Sequence, residues 1–234
     1  MTPKNLLVYR DKEALVRAAA LLIAGEIREV LRSKETCTFS LAGGATPAPA
    51  YRMLVDEQIV GSLPLERVEV FFGDERCVAA DHPDSNYNMA KTSFGEGFSR
   101  FKKVHRIEAE GDRDAAASAY AAVLPASLDI QLLGMGPDAH IASLFPDSPL
   151  FGESPKVKAA AVYCAKPPPW RISVSPAVIR AAERTFVLAA GEEKASALFA
   201  VFNEPVDPQK RPAQTAIEAT WLVDEAAASR LTLK

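Results

Sequence analysis

Hydrophobic residues along the chain follow two alternating patterns. Short runs rich in β-branched and aromatic residues are typical of strands, and they occur at residues 5–9, 36–41, 67–72, 102–107, 128–136, 160–165, 170–174 and 184–190. Longer segments with apolar residues at helical spacing separate many of these runs, at residues 11–32, 46–60, 85–93, 112–124 and 191–203. Residues 221–231 predict a last strand followed by a short helix.

The order of these segments predicts the fold class. Strands and helices in alternation form βαβ units, which give an α/β protein with an open, mostly parallel sheet flanked by helices on both faces. No low-complexity linker, charge block or internal repeat divides the sequence. We therefore expect residues 1–234 to form a single domain.

Composition excludes several classes of function. The chain has 27 Lys and Arg against 30 Asp and Glu, a formal charge of −3, so it lacks the basic excess of a nucleic-acid-binding protein. No apolar run approaches the length that crosses a membrane, and Asp11 and Glu13 interrupt the stretch where an export signal would be apolar. Cys37, Cys77 and Cys164 are too far apart for a disulfide framework or zinc site. We expect a cytoplasmic protein.

In open parallel sheets, ligands bind beyond the carboxyl ends of the strands, so the loops that follow the strands are the candidate sites. The first such loop is Ala42-Gly43-Gly44-Ala45-Thr46-Pro47. Its glycines allow the backbone to approach an anion closely, and Thr46 adds a hydroxyl. Thr46 and Pro47 also predict a helix N-cap and first position. The alternative is a tight turn in which glycine supplies only a positive φ.

The second loop follows the apolar strand at 67–72 and reads Gly73-Asp74-Glu75-Arg76. Charges at the end of a buried strand need a partner or a ligand. Arg76 carries a planar guanidinium suited to phosphate or carboxylate. The alternative is an ion pair within the loop that caps the strand.

The third loop, residues 134–146, places Asp138 and His140 at the end of a strand. Residues 134–139 match G-x-G-x-x-[GA], but Pro137 and the later prolines prevent the long helix that a dinucleotide-binding loop opens. With a dinucleotide-binding loop rejected, the segment is interpreted as a loop in which the Asp138 carboxylate can orient the His140 imidazole and raise its basicity. His140 as a structural histidine is the alternative; His82 and His105, in a loop and a strand, are weaker candidates.

The fourth loop places Lys194 near the start of a helix, where a cation opposes the helix dipole and is often present to bind an anion. A solvated surface lysine is the alternative. The sequence contains no G-x-S-x-G, H-E-x-x-H or G-x-x-x-x-G-K-[ST] motif. We predict no metal site and no organic cofactor.

Taken together and in this order, the loops resemble the 6-phosphogluconolactonase family over nearly the whole chain. The matching segments are AGGATP at 42–47, FFGDERCV at 71–78, DSNYNMA at 84–90, LLGMGPDAHIASLFP at 132–146, RISVSPAVI at 171–179, GEEKASAL at 191–198 and PAQ at 212–214. Three positions depart from the family pattern: Ala42 and Ala45 replace serines, and Ala139 replaces a glycine. If residue 139 needs a positive φ, alanine costs about 1 kcal/mol there.

This resemblance implies a Rossmann-like, deaminase/isomerase-type fold and hydrolysis of 6-phospho-D-glucono-1,5-lactone in the oxidative pentose phosphate pathway. It implies His140 as the general base, with Asp138 orienting it and Arg76 as a further catalytic residue. The implied substrate-binding residues are Gly43, Gly44, Thr46, Asp74, Arg171 and Lys194. Arg76, Arg171 and Lys194 are candidates both for binding the phosphate and for stabilising the oxyanion. The implied partner is the small-molecule substrate alone, for a monomer or weak homo-oligomer.

Two alternatives stay open on the sequence. The first is a glucosamine-6-phosphate deaminase, which shares the wider fold; however, that enzyme has a tyrosine where Arg76 follows the Asp-Glu pair here. The second is a non-catalytic sugar-phosphate-binding regulator, because a fold by itself does not fix an activity. His140 argues against a regulator, since a binder needs only the cations and the glycine loop.

Overall fold

The computed structural model describes residues 5–154 and 156–231. A seven-stranded sheet forms its centre, in the order β1-β10-β9-β6-β2-β3-β5, and every neighbouring pair in it is parallel. The strands of this sheet are β1 Leu6–Tyr9, β2 Cys37–Leu41, β3 Val68–Phe72, β5 Lys103–Val104, β6 Ile130–Gly134, β9 Arg184–Ala189 and β10 Thr220–Asp224. The predicted open, mostly parallel α/β fold is confirmed.

Helices flank this sheet and connect its strands. They are α1 Lys12–Ser33, α2 Ala48–Leu54, α3 Glu57–Val60, α4 Asn86–Phe94, α5 Arg113–Val123, α6 Pro176–Ala181, α7 Ala195–Asn203 and α8 Glu225–Ala228. Helix α1 shows how the sequence pattern becomes packing: Asp11 caps it by accepting from the Ala14 N–H at 2.8 Å, and its apolar stripe is buried.

A second, smaller sheet lies beside the first and corrects the interpretation of residues 74–76. The sequence analysis placed Asp74–Arg76 in a loop, whereas they form strand β4, paired antiparallel with β8 Trp170–Val174, which in turn pairs with β7 Ala159–Tyr163. The chain leaves the main sheet at Gly73, whose carbonyl accepts from the Val174 N–H at 3.0 Å. That contact recruits β8 and starts the new ladder.

Several predicted boundaries also change. The helix predicted over 46–60 does not begin with Thr46 as its cap: α2 starts at Ala48 after Pro47, without a side-chain cap, and stops at Leu54. The chain restarts as α3 because the Asp56 carboxylate accepts from the Gln58 N–H at 2.9 Å and caps a new helix. The strand predicted at 102–107 is only two residues long, the segment at 191–203 begins as a 3-10 turn, and α6 was not predicted.

Candidate active site

A cavity of about 200 Å³ opens at the carboxyl ends of β2, β3, β6 and β9. It collects loops that are far apart in the sequence, as expected for this fold. Of the nine residues predicted for the site, eight line it: Gly43, Gly44, Thr46, Asp74, Arg76, His140, Arg171 and Lys194. The ninth, Asp138, contacts the His140 ring from behind.

Two buried tyrosines hold the strand ends at the mouth of this cavity. The Tyr51 hydroxyl accepts from the Ala42 N–H at 2.8 Å and donates to the Ala42 carbonyl at 2.7 Å. Tyr120 makes the same pair of bonds, at the same distances, with Phe72 at the end of β3. Burial raises the pKa of both phenols, so each remains a neutral donor and acceptor.

The glycine loop needs its glycines for two different reasons. A Cβ on Gly43 would lie 2.0 Å from the Asn86 amide oxygen, so no other residue fits without moving Asn86. Gly44 has a φ of +99°, which a residue with a side chain rarely adopts. The turn interpretation therefore holds for Gly44, while Gly43 brings bare backbone to the cavity wall.

Glu75 stabilises the fold and does not reach the cavity. Its carboxylate is buried and accepts four hydrogen bonds at 2.7–2.9 Å, from the N–H groups of Arg76, Asn86 and Tyr87 and the hydroxyl of Ser85. Burial raises the pKa of Glu75, and those hydrogen bonds oppose the shift. Because Glu75 binds the start of α4, the ion pair within residues 74–76 considered in the sequence analysis does not form.

Asp74 is buried at the cavity wall and ties three segments together. One carboxylate oxygen accepts from the Asn86 amide at 3.0 Å, and the other accepts from the Ser143 hydroxyl. Asn86 therefore hydrogen-bonds Asp74 and packs against Gly43. Sequence analysis quoted Asn86 within a motif but gave it no role, since only the tertiary contacts show what it touches.

Arg76 and Arg171 lie directly opposite each other on the antiparallel strands β4 and β8. Both line the cavity, and each has a buried Nε without a hydrogen-bond partner. Arg76 donates to the Asp84 carbonyl at 2.6 Å, and the Arg171 guanidinium lies 5.6 Å from the centre of the Phe145 ring. Among the described residues, neither arginine forms an ion pair with a carboxylate. Two adjacent cations with unsatisfied donors are suited to bind an anionic ligand.

His140, which lines the cavity, forms a dyad with Asp138. The Nδ1 of His140 hydrogen-bonds one oxygen of Asp138, and the other oxygen accepts from the Lys166 ammonium at 2.7 Å. Burial by itself would raise the pKa of Asp138, but the bonds from His140 and Lys166 outweigh it and hold that pKa far below the usual range. Asp138 is therefore a carboxylate, and Nε2 is the ring nitrogen of His140 left without a partner among the described residues.

Lys166 is the functional candidate that sequence analysis missed. It stands in the turn between β7 and β8, before three consecutive prolines, far from Asp138 along the chain. The prolines separate the two strands predicted at 160–165 and 170–174, but nothing in the sequence indicated that the Lys166 ammonium bonds Asp138.

The loop that carries His140 is tightly wound. The Gly136 N–H donates to the His140 carbonyl at 2.9 Å, and a Cβ on Gly136 would lie 2.0 Å from two atoms of the His140 ring. Ala139 has a φ of 61°, so the condition set in the sequence analysis is met: residue 139 occupies the left-handed region.

This conformation gives a stability prediction. Ala139→Gly removes the strain and is expected to raise the free energy of unfolding by about 1 kcal/mol, which corresponds to about 2–4 °C in Tm. Thermal unfolding measures both. Ala119→Gly, at an exposed position inside α5, is the matched control and is expected to lose about 1 kcal/mol. An Ala139→Gly protein that melts at or below the wild-type temperature would contradict the prediction.

Lys194 lies at the end of a 3-10 turn formed by Glu192–Lys194, immediately before α7. Gly191, with a φ of 97°, starts this turn, and its N–H donates to the Asp224 carboxylate at 3.0 Å. Burial lowers the pKa of Lys194 and Lys166 acts in the same direction, while Glu193 and Asp138 oppose them. Lys194 lines the cavity, its side chain is only 18% exposed, and among the described residues its one ion-pair partner is Glu193 at 3.9 Å, so the interpretation as a solvated lysine does not hold.

The other two histidines lie away from the cavity. His105 bonds Glu69 at 2.9 Å and stacks on Phe71, and His82 accepts from the Asp84 N–H at 3.0 Å. In the part of the chain that the structure describes, no group of His, Cys, Asp and Glu side chains is arranged to hold a metal ion. Within the same residues, no helix is both long and apolar enough to cross a membrane.

Comparison with known proteins places these features in context. Residues 10–223 match the sequence profile of the family described as glucosamine-6-phosphate isomerases/6-phosphogluconolactonase. A 6-phosphogluconolactonase of Streptomyces coelicolor is 34% identical over 250 residues, covering 98% of this chain and 95% of that protein. The solved 6-phosphogluconolactonase of Trypanosoma brucei superposes with a TM-score of 0.83 at 27% identity, over 97% of this chain and 98% of that one. A monomeric glucosamine-6-phosphate deaminase shares the fold, with a TM-score of 0.82 at 23% identity over 97% and 99% of the two chains.

Proposed function

The chain belongs to the family of glucosamine-6-phosphate isomerases and 6-phosphogluconolactonases, and we propose that it hydrolyses 6-phospho-D-glucono-1,5-lactone to 6-phosphogluconate. The observation that carries this proposal is that one cavity holds two arginines, which have no carboxylate partner among the described residues, together with a histidine oriented by a carboxylate. The arginines supply cationic hydrogen-bond donors for a phosphate, and the histidine supplies a base that can activate water for hydrolysis. A regulator that only binds sugar phosphates would use the arginines but would have no use for an oriented histidine base.

The phosphate end of the substrate calls for several cationic and N–H donors. Arg76 and Arg171 lie side by side, and a guanidinium offers two parallel donors to phosphate oxygens. Gly43, Gly44 and Thr46 line the same cavity and would add backbone N–H groups and a hydroxyl as donors. Lys194 is the third cation, and whichever cation lies nearest the lactone carbonyl also stabilises the oxyanion.

The chemical step needs a base for water. In our proposal Nε2 of neutral His140 takes a proton from a water molecule while the water oxygen bonds to the lactone carbonyl carbon. Collapse of the tetrahedral intermediate breaks the bond to the ring oxygen, which receives the proton from the imidazolium and becomes a hydroxyl. Asp138 keeps Nδ1 protonated and so fixes the tautomer that leaves Nε2 free. No metal ion and no organic cofactor takes part in this route.

The deciding experiment follows lactone hydrolysis above the spontaneous rate in buffer, with ammonia release from glucosamine 6-phosphate measured in parallel. We expect hydrolysis of the phosphorylated lactone, weak turnover of unphosphorylated gluconolactone and no ammonia. Ammonia release would establish the deaminase alternative, and binding of sugar phosphates without either reaction would establish the regulator. Equal rates on both lactones would overturn the assignment of the arginines to a phosphate.

Lys194→Ala gives a second prediction on the same assay. Loss of a cation that bonds a charged ligand group is expected to raise KM by about 10–100-fold, with a smaller change in kcat. Lys91→Ala, an exposed lysine on α4 outside the cavity, is the control. An unchanged KM in Lys194→Ala would remove Lys194 from the binding site.

Two coarser expectations accompany the proposal. We infer a cytoplasmic enzyme, which is supported by the free thiols of Cys37, Cys77 and Cys164. We also infer a monomer or weak homo-oligomer, which light scattering over a range of protein concentrations measures directly.

A further inference from the structure

Asp138 is shared by two partners that come from different parts of the fold, His140 from its own loop and Lys166 from the turn between β7 and β8. We propose that Lys166 is a positioning residue for the reaction: its ammonium holds one oxygen of Asp138 so that the other orients His140. Lys166 does not line the cavity, so it acts through Asp138 and does not touch the substrate. This inference rests on the proposed role of His140 as the base.

The turn is built to place this lysine. The Cys164 N–H donates to the Pro169 carbonyl at 2.8 Å, and the Cys164 thiol donates to the Lys166 carbonyl at 3.3 Å. The prolines from 167 to 169 restrict the backbone that follows. The same two strands present Arg171 to the cavity, so one structural unit delivers both the Arg171 guanidinium and the Lys166 ammonium to the site.

The side chain of Lys166 also lies near Phe145, whose ring packs against His140. Its Nζ lies 5.4 Å from the centre of the Phe145 ring, and that ring packs against His140 with 4.5 Å between ring centres. The Asp138 oxygen that bonds the imidazole also accepts from the backbone N–H of His140 at 3.4 Å, whereas Lys166 is the partner of the second oxygen. With the second oxygen bound to Lys166, Asp138 and the His140 ring keep one orientation, which is the condition for a base to meet its water in the correct geometry.

Lys166 also sets the charge that His140 experiences. The charged groups facing the dyad are the ammonium groups of Lys166 and Lys194, the carboxylate of Glu193 beside Lys194, and Arg171 across Phe145. Of these, Lys166 bonds Asp138 directly and offsets its negative charge. Without that ammonium, the negative charge of Asp138 is no longer offset and attracts an imidazolium at His140 more strongly.

The molecule contains a matched control for this arrangement. On the edge of the main sheet, Lys102 pairs with Glu69 at 3.1 Å, and Glu69 bonds His105 at 2.9 Å, so a second lysine–carboxylate–histidine series occurs away from the cavity. The two lysines are alike in exposure, at 49% for Lys166 and 45% for Lys102. Substituting each lysine separates an effect at the site from the loss of a half-exposed ion pair.

The experiment compares Lys166→Met, Lys166→Arg and Lys102→Met with the wild type, using the pH dependence of kcat/KM and the ¹⁵N resonances of the three histidine rings. For Lys166→Met we expect kcat to fall by about 10-fold with KM within about twofold, because positioning is lost and binding is not. We expect the acid limb of kcat/KM to move up by about 0.5–1 pH unit, an effect reduced by the solvent exposure of the lysine. The ring resonances of His140 shift, and those of His105 and His82 do not.

The remaining variants complete the test. Lys166→Arg restores a cation and is expected to recover most of kcat, while Lys102→Met shifts the His105 resonances and leaves kcat unchanged. If Lys166→Met leaves kcat, the pH profile and the His140 resonances unchanged, Lys166 forms only a surface ion pair. A raised KM with unchanged kcat would instead make it a direct substrate ligand. If the wild type does not hydrolyse the lactone, the proposed function fails, and the His140 resonances still report whether Lys166 orients the dyad.

Discussion

His140→Ala is expected to lower kcat for 6-phosphogluconolactone by about 10²–10⁴-fold, with a modest change in KM. The substitution removes Nε2, the ring nitrogen on the cavity side that bonds no other described residue, while the arginines and the glycine loop remain to bind the phosphate. Binding and chemistry therefore separate in this variant. Initial rates above the spontaneous background, measured over a range of substrate concentrations, give kcat and KM independently.

The control for this substitution is His105→Gln. His105 lies at the edge of the main sheet and outside the cavity, and glutamine retains a donor toward Glu69. We expect that variant to keep the wild-type kcat. Near-normal turnover by His140→Ala would show that His140 is not the base and that the water is activated elsewhere.

Gly136→Ala is expected to lower kcat by about 10²-fold, although residue 136 has no side chain and performs no chemistry. A Cβ at this position would lie 2.0 Å from both Cε1 and Nδ1 of His140 and 2.7 Å from an oxygen of Asp138. The imidazole and the carboxylate must both move to admit one methyl group. Displacing a base by about 1 Å costs most of its contribution, because proton transfer requires the ring nitrogen within hydrogen-bond reach of the water.

A double-variant cycle shows whether Gly136 acts through His140. The variant carrying both Gly136→Ala and His140→Ala is expected to be no slower than His140→Ala alone, since the displaced ring is already gone. If the fold-losses in kcat of the two single variants multiply in the double variant, Gly136→Ala lowers activity through a change that does not involve His140. Gly25→Ala, in α1 where an added Cβ meets nothing within 4 Å, is the matched control and is expected to keep full activity.

The sequence by itself determined the main α/β architecture and predicted most of the residues that were proposed for the site and that line the cavity. Alternating periods of about 2 and 3.6 residues reflect which side chains face a core, so most strands and helices followed from local pattern, whereas β4 and α6 did not. The rule that ligands bind at the carboxyl ends of parallel strands then selected the loops around Gly43, Arg76, His140 and Lys194, and all of them line one cavity. The family resemblance, in which a glycine occupies position 139, raised the question of a positive φ there, and Ala139 has a φ of 61°.

The tertiary structure decided which of these groups act on each other. The local sequence does not indicate that Arg76 lies opposite Arg171 on β4 and β8, or that Lys166 bonds Asp138. Strand register and the position of a turn depend on contacts between segments that are distant in the sequence. Short polar stretches such as residues 74–76 have too little periodicity to distinguish a loop from an edge strand, and the ladder with β8 decided that case. Local sequence thus specified the secondary structure of most segments, because that depends on which side chains face a core. Packing between distant segments specified the tertiary contacts, and the proposed charge balance at His140 depends on one of them, the contact of Lys166 with Asp138.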